Sequence, residues 1–514
     1  MPIQPPSHSD PSAWIERAAA NAANRPFLTT GAGRRLSYAD LERESGRLAA
    51  TLSALGVQPG DRVAMQVDKS AEALVLYVAC LRMGAVLLPL NTAYTASELE
   101  YFLTDARPRL AVIRPGARSA LEPLARLAGC ERVETLGTDG DGSLLELARS
   151  SRAAAVPSAA LPAQALAALL YTSGTTGRSK GAMLTRRNLA SNAAALADCW
   201  RFTERDVLLH ALPLFHVHGL FIAVNTVLAA GASLLLLDRF DAADVLRRLP
   251  AASVLMGVPT HYTRLLAEPG LDRDATAGMR LFVSGSAPLL PETHREFAAR
   301  TGHAILERYG MTETLVNASN PYDPPRLAGS VGLPLPGVEI RVTGGAAGAG
   351  ADSPGPVGML EVRGPNVFAG YWNDPAKTAE AFTPDGFFVT GDLGSRDAAG
   401  YLRIAGRAKD VVICGGYNVY PKEVETELDA LPGVVESAVV GLPHPDLGEA
   451  VTAVVVRAHA ATLTEAEAVA ALQQRLARYK VPRRVLFVAE LPRNAMGKVQ
   501  KTLLREAHAT LYRP

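Results

Sequence analysis

The stretch Leu169-Leu170-Tyr171-Thr172-Ser173-Gly174-Thr175-Thr176-Gly177-Arg178-Ser179-Lys180-Gly181 decides how the rest of the chain is read. An apolar strand runs into a loop of small hydroxylic and glycine residues and ends in a Lys-Gly pair. Glycines let successive backbone N–H groups turn inward as an anion-binding nest, the hydroxyls add donors, and Lys180 brings a mobile cation. Taken alone, a generic six-residue loop of this kind reads better as a solvated Gly/Ser turn. The spacing excludes a Walker A loop, which needs Gly-x4-Gly-Lys-Ser/Thr. Here Gly181 follows Lys180, and Gly177 lies three residues before it. The segment is a triphosphate-type loop of another class.

Working outward, strands and helices alternate. Strand-like runs lie at Arg62 to Val67, Ala85 to Leu90, Leu110 to Ile113, Ser233 to Leu237, Ser253 to Met256 and Arg280 to Ser284, with an amphipathic helical pattern from Ser70 to Arg82. That alternation predicts α/β layers with largely parallel sheets. Gly219 to Leu237 is apolar enough to suggest a membrane span. Asn225, Thr226, Gly231 and Ser233 interrupt it, so a buried helix followed by a buried strand is expected. Gly344 to Pro356 reads as a loop, and Val357 to Ile404 as a small β-rich unit. After Gly406 the pattern becomes strand, helix (Pro421 to Asp429), strands (Ser437 to Val440, Ala450 to Val456), helix (Thr464 to Arg478) and strand (Arg484 to Phe487). The expected organisation is a large N-terminal domain, 1–405, of two α/β layered sheets plus the β-rich unit. A small mobile α+β domain, 406–514, would follow, with a hinge at 407–410.

Composition sets outer bounds. The 514 residues correspond to roughly three or four domain-sized units, with 48% apolar and 20% charged residues. Lys plus Arg (52) nearly balances Asp plus Glu (51), which gives no electrostatic case for nucleic acid or an anionic membrane as the main partner. Cys80, Cys130, Cys199 and Cys414 are scattered without metal-ligand spacing and read as structural thiols in a reducing compartment. Met1 to Asp10 lacks the basic and apolar regions of a signal peptide, so a cytoplasmic location is expected.

Further motifs follow in order. Ser284-Gly285-Ser286-Ala287-Pro288-Leu289 is a small-residue turn after a strand, which lets backbone approach a ligand closely. Glu307-Arg308-Tyr309-Gly310-Met311-Thr312-Glu313, Thr390-Gly391-Asp392, Gly406-Arg407-Ala408-Lys409-Asp410 and Pro492-Arg493-Asn494-Ala495-Met496-Gly497-Lys498 complete the series. Alone, Glu313 reads as a solvated carboxylate and Lys498 as surface charge. Together the series, from about Asn24 to Lys501, resembles the adenylate-forming superfamily of acyl-CoA synthetases, firefly luciferase and peptide-synthetase adenylation domains. One departure is Ser179, where that family usually has proline.

The resemblance implies an ATP-dependent acid:CoA ligase that forms acyl-AMP and then acyl-CoA. It places Thr172, Ser173, Gly174, Thr175, Thr176, Gly177 and Lys180 on the phosphates. Gly285, Ser286, Ala287 and the run Glu307 to Thr312 would sit around the nucleotide, with Tyr309 on adenine and Thr312 on the α-phosphate. Glu313 would ligate Mg²⁺, which needs oxygen donors and usually few protein ligands. Asp392 and Arg407 would hold the ribose, and Lys498 would bridge the attacking carboxylate and the α-phosphate. Lys409 matches the hinge position. Gly415, Gly416 and Tyr417 would line the pantetheine tunnel after the C-terminal domain swings.

In particular, Leu212 to Leu220, Val254 to Tyr262 and Glu307-Arg308 resemble malonyl-CoA synthetases. A dicarboxylate leaves a second carboxylate in the acyl pocket, where an unpaired charge is costly and an Arg fork is the favoured partner. Arg308 is the first candidate, with His216 and Ser286 as donors and Met311 limiting pocket volume. A helix-end or surface ion pair is the plain alternative for Arg308. His216-x-His218 reads as a gate to the pocket in preference to a metal pair, since no third ligand is suitably spaced. Methylmalonate and other small, medium-chain or aryl acids remain alternative substrates. A carrier-protein-loading adenylation enzyme, a luciferase-type oxygenase and a non-catalytic nucleotide sensor are the other classes. No carrier motif with its serine is present, and a sensor would have no use for a catalytic Lys. Lys498 is also a candidate for a protein acetyltransferase and deacetylase, because neutralising it removes the cation that adenylation requires.

Overall fold

Runs of Val, Leu and Ala become short parallel strands whose carboxyl ends open on one cleft. The computed structural model describes residues 10–151, 156, 158–172, 179–344, 355–415, 417–494 and 497–512. Ser173, Gly174, Thr175, Thr176, Gly177, Gly416 and most of the Gly344 to Pro356 stretch lie outside the described residues.

One six-stranded sheet runs in the order Arg132–Thr135, Leu110–Ile113, Arg62–Gln66, Val86–Pro89, Leu166–Thr172 and Lys180–Thr185. All neighbours are parallel except the final hairpin, which carries the phosphate loop between Thr172 and Lys180. A nine-stranded sheet is built around the parallel strands Leu306–Met311, Leu281–Ser284, Val254–Gly257, Val207–His210, Ser233–Leu236 and Pro26–Thr30. Antiparallel strands close both of its edges.

The helix Ala71–Met83 is capped by the Ser70 hydroxyl, which accepts from the Ala73 amide, and ends at Gly84 with φ of +79°. Every one of its residues is buried, so the amphipathic reading of this segment is corrected. A helix buried on all sides has no polar stripe to show. Its two charges are partnered: Glu72 by Arg34, and Arg82 by Glu42 at 2.5 Å. Gly219 to Leu237 begins as a π-helix over His218–Val224, continues as α-helix Asn225–Ala230 and returns as strand Ser233–Leu236. No described helix is long and apolar enough to cross a membrane.

A four-stranded antiparallel sheet (Glu339–Thr343, Gly358–Arg363, Phe388–Arg396, Leu402–Arg407) packs Ile340, Leu360, Val362 and Leu402 against Tyr309 of the larger sheet. The C-terminal unit has five strands, Val412–Cys414, Tyr417–Val419, Val434–His444, Gly448–Arg457 and Arg484–Val488. Helices Pro421–Asp429 and Glu465–Gln473 cover them over a separate core that includes Val424, Leu428, Val439, Val455 and Leu472. The second helix stops five residues short of the expected Arg478, because the amides of Gln474, Arg475 and Lys480 bond three residues back, to Ala471, Leu472 and Ala477, and the chain tightens into turns. The four cysteines are free thiols, three of them buried.

Asp206 ties three strands together at the base of the larger sheet. It accepts from Arg280 Nε at 2.6 Å and Nη2 at 2.8 Å, and from Ser253 Oγ at 2.7 Å. Burial alone would raise its pKa, but these donors outweigh burial and hold it below the usual carboxylate range. The stability it contributes is therefore present at neutral pH and lost as pH falls through that lowered value. Asp206→Ala, which leaves Arg280 without its carboxylate, should cost about 2–3 kcal/mol and lower the Tm by several degrees in a thermal melt.

Candidate functional site

Open parallel sheets place ligands outside the carboxyl ends of their strands. Here Thr172 ends one strand of the six-stranded sheet, while His210, Gly257, Ser284 and Met311 each end a strand of the nine-stranded sheet. The two sets meet: Thr172 Oγ1 lies 3.4 Å from Glu313 Oε1, just past Met311. Glu313 is 6% exposed, and burial raises its carboxyl pKa. The Tyr371 hydroxyl donates to the same oxygen at 3.2 Å, and the Lys180 ammonium sits 5.0 Å from the centre of the Tyr371 ring. Tyr371 thus touches both ends of the phosphate-loop hairpin's chemistry, a link the sequence reading missed. Its signal was the Gly370-Tyr371-Trp372-Asn373 turn, whose Trp372 and Asn373 both donate to the Asp105 carbonyl beside the hairpin.

On the neighbouring strand the Tyr309 hydroxyl donates to Asp392 Oδ2 at 2.6 Å, and Arg407 Nε pairs with Asp392 Oδ1 at 2.7 Å. Tyr309 and Asp392 are buried. Burial works against the charge on Arg407, but the attraction of Asp392, Tyr309 and Glu313 outweighs it and raises its pKa. Gly310 cannot carry a side chain: a Cβ there would lie 1.8 Å from the Leu315 carbonyl oxygen. Thr312 is partly open to the cleft. Lys409 is exposed in a single 3₁₀ turn, Ala408–Asp410, that joins the β-rich unit to the C-terminal strands.

Lys498 approaches from the C-terminal unit. Its neighbour Gly497 sits so close to Thr260 that an added Cβ would be 3.2 Å from Thr260 Oγ1. More than a third of the lysine surface stays open to the cleft, yet protein mass crowds the ammonium. That crowding, with the Arg407 charge, lowers its pKa. Gly415, with φ of +57°, turns the hairpin that pairs Cys414 with Tyr417. Tyr417 is 60% exposed and its ring lies tilted against Tyr479 with centroids 4.8 Å apart.

Arg308 lies on the same strand as Tyr309 and Gly310. It is 4% exposed on strand Leu306–Met311, neither at a helix end nor on the surface, and its Nε and Nη2 have no partner among the described residues. The guanidinium runs across Gly285, where a Cβ would lie 2.4 Å from Nε. Burial lowers its pKa to about 10, so it stays cationic at neutral pH. His216 lies within electrostatic reach of both Arg308 and Lys498; burial first, then those cations, bring its pKa to about 4. Ser286 and Ala287 line the adjacent turn, and Ser286 Oγ is 3.1 Å from His218 Nδ1, a contact the sequence reading did not foresee. Glu307, on the opposite face of the strand from Arg308, accepts from the Leu289 amide at 3.2 Å, and burial pushes its carboxyl up to about 8. Among the described residues, no group of three His, Cys, Asp or Glu side chains is placed to hold a metal.

The arrangement brings Thr172, Glu313, Tyr371 and Lys180 together and leaves the buried Arg308 with two nitrogens unpartnered among the described residues. Tyr309→Phe, which deletes the 2.6 Å bond to Asp392, should lower stability by about 1–2 kcal/mol in a thermal melt.

Comparison with known proteins gives a consistent picture. The family described as AMP-binding enzyme matches residues 15–372, and the AMP-binding enzyme C-terminal domain matches residues 423–498. A sulfoacetate–CoA ligase of Cupriavidus necator is 38% identical over 500 residues, covering 96% of this chain and 97% of its own. The mitochondrial malonate–CoA ligase of Mus musculus is 35% identical over 549 residues, covering 99% and 93%. Among solved structures, ATP-bound MatB from Rhodopseudomonas palustris is 54% identical and superposes with a TM-score of 0.93 over 98% of this chain and 100% of that one. The apo form of the same protein superposes at 0.82.

Proposed function

The chain belongs to the AMP-binding enzyme family and is an acyl-CoA ligase, and from that premise we propose that its acid is malonate. The observation that carries this reading is Arg308, buried with two nitrogens unpartnered. A buried guanidinium without a carboxylate is costly unless a ligand supplies one. The free carboxylate of malonate would supply it in bidentate fashion. His216 supports the same reading: its Nδ1 accepts from the His218 amide at 3.2 Å, which leaves the proton on Nε2 as a donor. Methylmalonate adds one methyl beside Met311 and fits the same scheme. A sulfonate tail is the second reading, because the same donors suit any cluster of anionic oxygens and one relative is named for sulfoacetate.

In the first half-reaction the substrate carboxylate attacks the α-phosphorus of ATP. A carboxylate O–P bond forms, the P–O bond to pyrophosphate breaks, and the products are acyl-AMP and pyrophosphate. Positioning and charge neutralisation carry most of the rate. Thr172 and Lys180 hold the phosphate side, together with the loop residues Ser173 to Gly177. Asp392 and Arg407 hold the ribose, Tyr309 packs on adenine with Gly285, Ser286 and Ala287 nearby, and Thr312 reaches the α-phosphate. Lys498 holds the attacking carboxylate and α-phosphate oxygens together. Glu313, a buried carboxylate already receiving Tyr371, fits an oxygen-seeking cation and would hold Mg²⁺ with phosphate oxygens completing its shell. When bound, Mg²⁺ would neutralise charge on the phosphates.

In the second half-reaction the CoA thiol loses its proton and attacks the acyl carbon. The S–C bond forms and the C–O bond to AMP breaks. We assign residues 1–405 to the adenylating domain and 406–514 to a mobile domain that turns at 407–410, with Lys409 at the pivot. Turning withdraws Lys498 and brings Gly415, Gly416 and Tyr417 to the pantetheine. A cytoplasmic location and control by acetylation of Lys498 are compatible with this reading.

Purified enzyme with ATP, CoA and a panel of acetate, malonate, methylmalonate, succinate, sulfoacetate, octanoate and benzoate tests the substrate. Malonate should give the highest kcat/KM, and a higher value for any monocarboxylate would overturn the reading. Arg308→Ala should cut kcat/KM for malonate about a hundredfold or more, with a much smaller loss for acetate. Lys498→Ala should slow acyl-AMP formation about a hundredfold or more while leaving thioester formation from preformed acyl-AMP within a few fold. Equal loss of both halves would refute the role given to Lys498.

A further inference from the structure

His218 is wholly buried, yet Nε2 finds no hydrogen-bond partner among the described residues and Nδ1 meets Ser286 Oγ at 3.1 Å. Its backbone is fixed from two sides. The His210 ring donates Nε2–H to the Gly219 carbonyl at 2.9 Å, and a Cβ on Gly219 would lie 2.0 Å from the Pro213 carbonyl oxygen. The π-helix His218–Val224 starts at this residue, an irregularity frequent at functional sites. On the other side of the contact, Ser286 adopts φ of +73°, in the left-handed region that a non-glycine residue rarely enters without an external constraint.

We infer that His218 is a positioning residue that donates Nδ1–H to Ser286 Oγ, turning the serine's own proton toward the substrate acid. The ring is neutral: burial and the nearby Arg308 hold its pKa well below the usual histidine value. A neutral ring carries one proton, on Nδ1 or on Nε2. A proton on Nε2 would be a buried N–H with nothing to receive it, whereas a bare lone pair there is the more tolerable orphan. The proton therefore belongs on Nδ1. With Oγ occupied as an acceptor, the Ser286 hydroxyl hydrogen is free to point at the anionic oxygens that Arg308 holds. His216 works in the opposite sense, accepting on Nδ1 and presenting Nε2–H. The His-x-His pair thus supplies one direct donor and one donor by way of serine. This inference rests on the acid-pocket reading above and deepens it.

Two measurements test it. Imidazole ¹⁵N shifts of the free, labelled enzyme should report the Nδ1–H tautomer for His218, and an Nε2–H tautomer overturns the proposal. In kinetics, His218→Ala should raise KM for malonate about tenfold, the worth of one misdirected hydrogen bond to a charged group, with kcat and the ATP KM within about twofold. His218→Asn, whose amide N–H falls near the Nδ1 position, should come within about threefold of wild type. His218→Gln, whose N–H falls near Nε2, should resemble the Ala variant. The Ala substitution should add nothing on top of Ser286→Ala, because the imidazole acts only through that hydroxyl. Additive losses, equal effects of Asn and Gln, or an unchanged KM each overturn it. Should His218→Ala not fold, the order of the Asn and Gln variants decides. The acid panel on wild type reads the malonate assignment separately. If another acid wins there, the tautomer and the same variant order, measured with that acid, still decide the role of His218.

Discussion

Parallel strands cannot leave either sheet face in water, and this constraint shapes the molecule. The helix Ala71–Met83 meets it by burying every one of its residues. With the sheets held in that way, the carboxyl ends of strands from both converge, which brings Thr172 of one to Glu313 of the other. The charged groups of the cleft are then fixed by backbone geometry more than by one another. Gly285, Gly310 and Gly219 mark the places where backbone or guanidinium passes too close for any Cβ.

Within that frame the two ends of the cleft solve opposite electrostatic problems. On one side Asp392 is paired with Tyr309 and Arg407, so its charge is balanced without a ligand while each oxygen keeps a lone pair. At the acid end Arg308 has no such company, and its histidine neighbours are held neutral by burial and by its own charge. A pocket built in this way is poorly solvated when empty and favours an anion strongly.

Much of the architecture was legible because short apolar runs and caps act locally. Leu110–Ile113 and Pro421–Asp429 fall where the sequence placed them, and Ser70 caps its helix. The strand leading to Thr172 and the turn after Leu281–Ser284 were found from local apolar and small-residue patterns, whereas Glu307 to Glu313 was marked only by its resemblance to a family motif and its strand was not foreseen. What escaped was non-local. Tyr371 reaches Glu313 across 58 residues, and His218 reaches Ser286 across 68. No spacing rule connects such positions. The short hairpin through Gly415 was hidden because its two strands have three residues each. The extent of helix Glu465–Gln473 was overread because the following Arg, Leu and Ala residues keep helical propensity while their amides turn elsewhere.

The neutral imidazoles around Arg308 have a consequence for how the enzyme experiences its surroundings. With His216 near 4, His210 near 3 and Arg308 near 10, none of these groups titrates near neutral pH. The imidazoles therefore add no charge of their own beside the Arg308 guanidinium. Acidification of the surroundings then acts on recognition through the ligand's own carboxyl groups, and the cavity reads the ionisation state of what enters it.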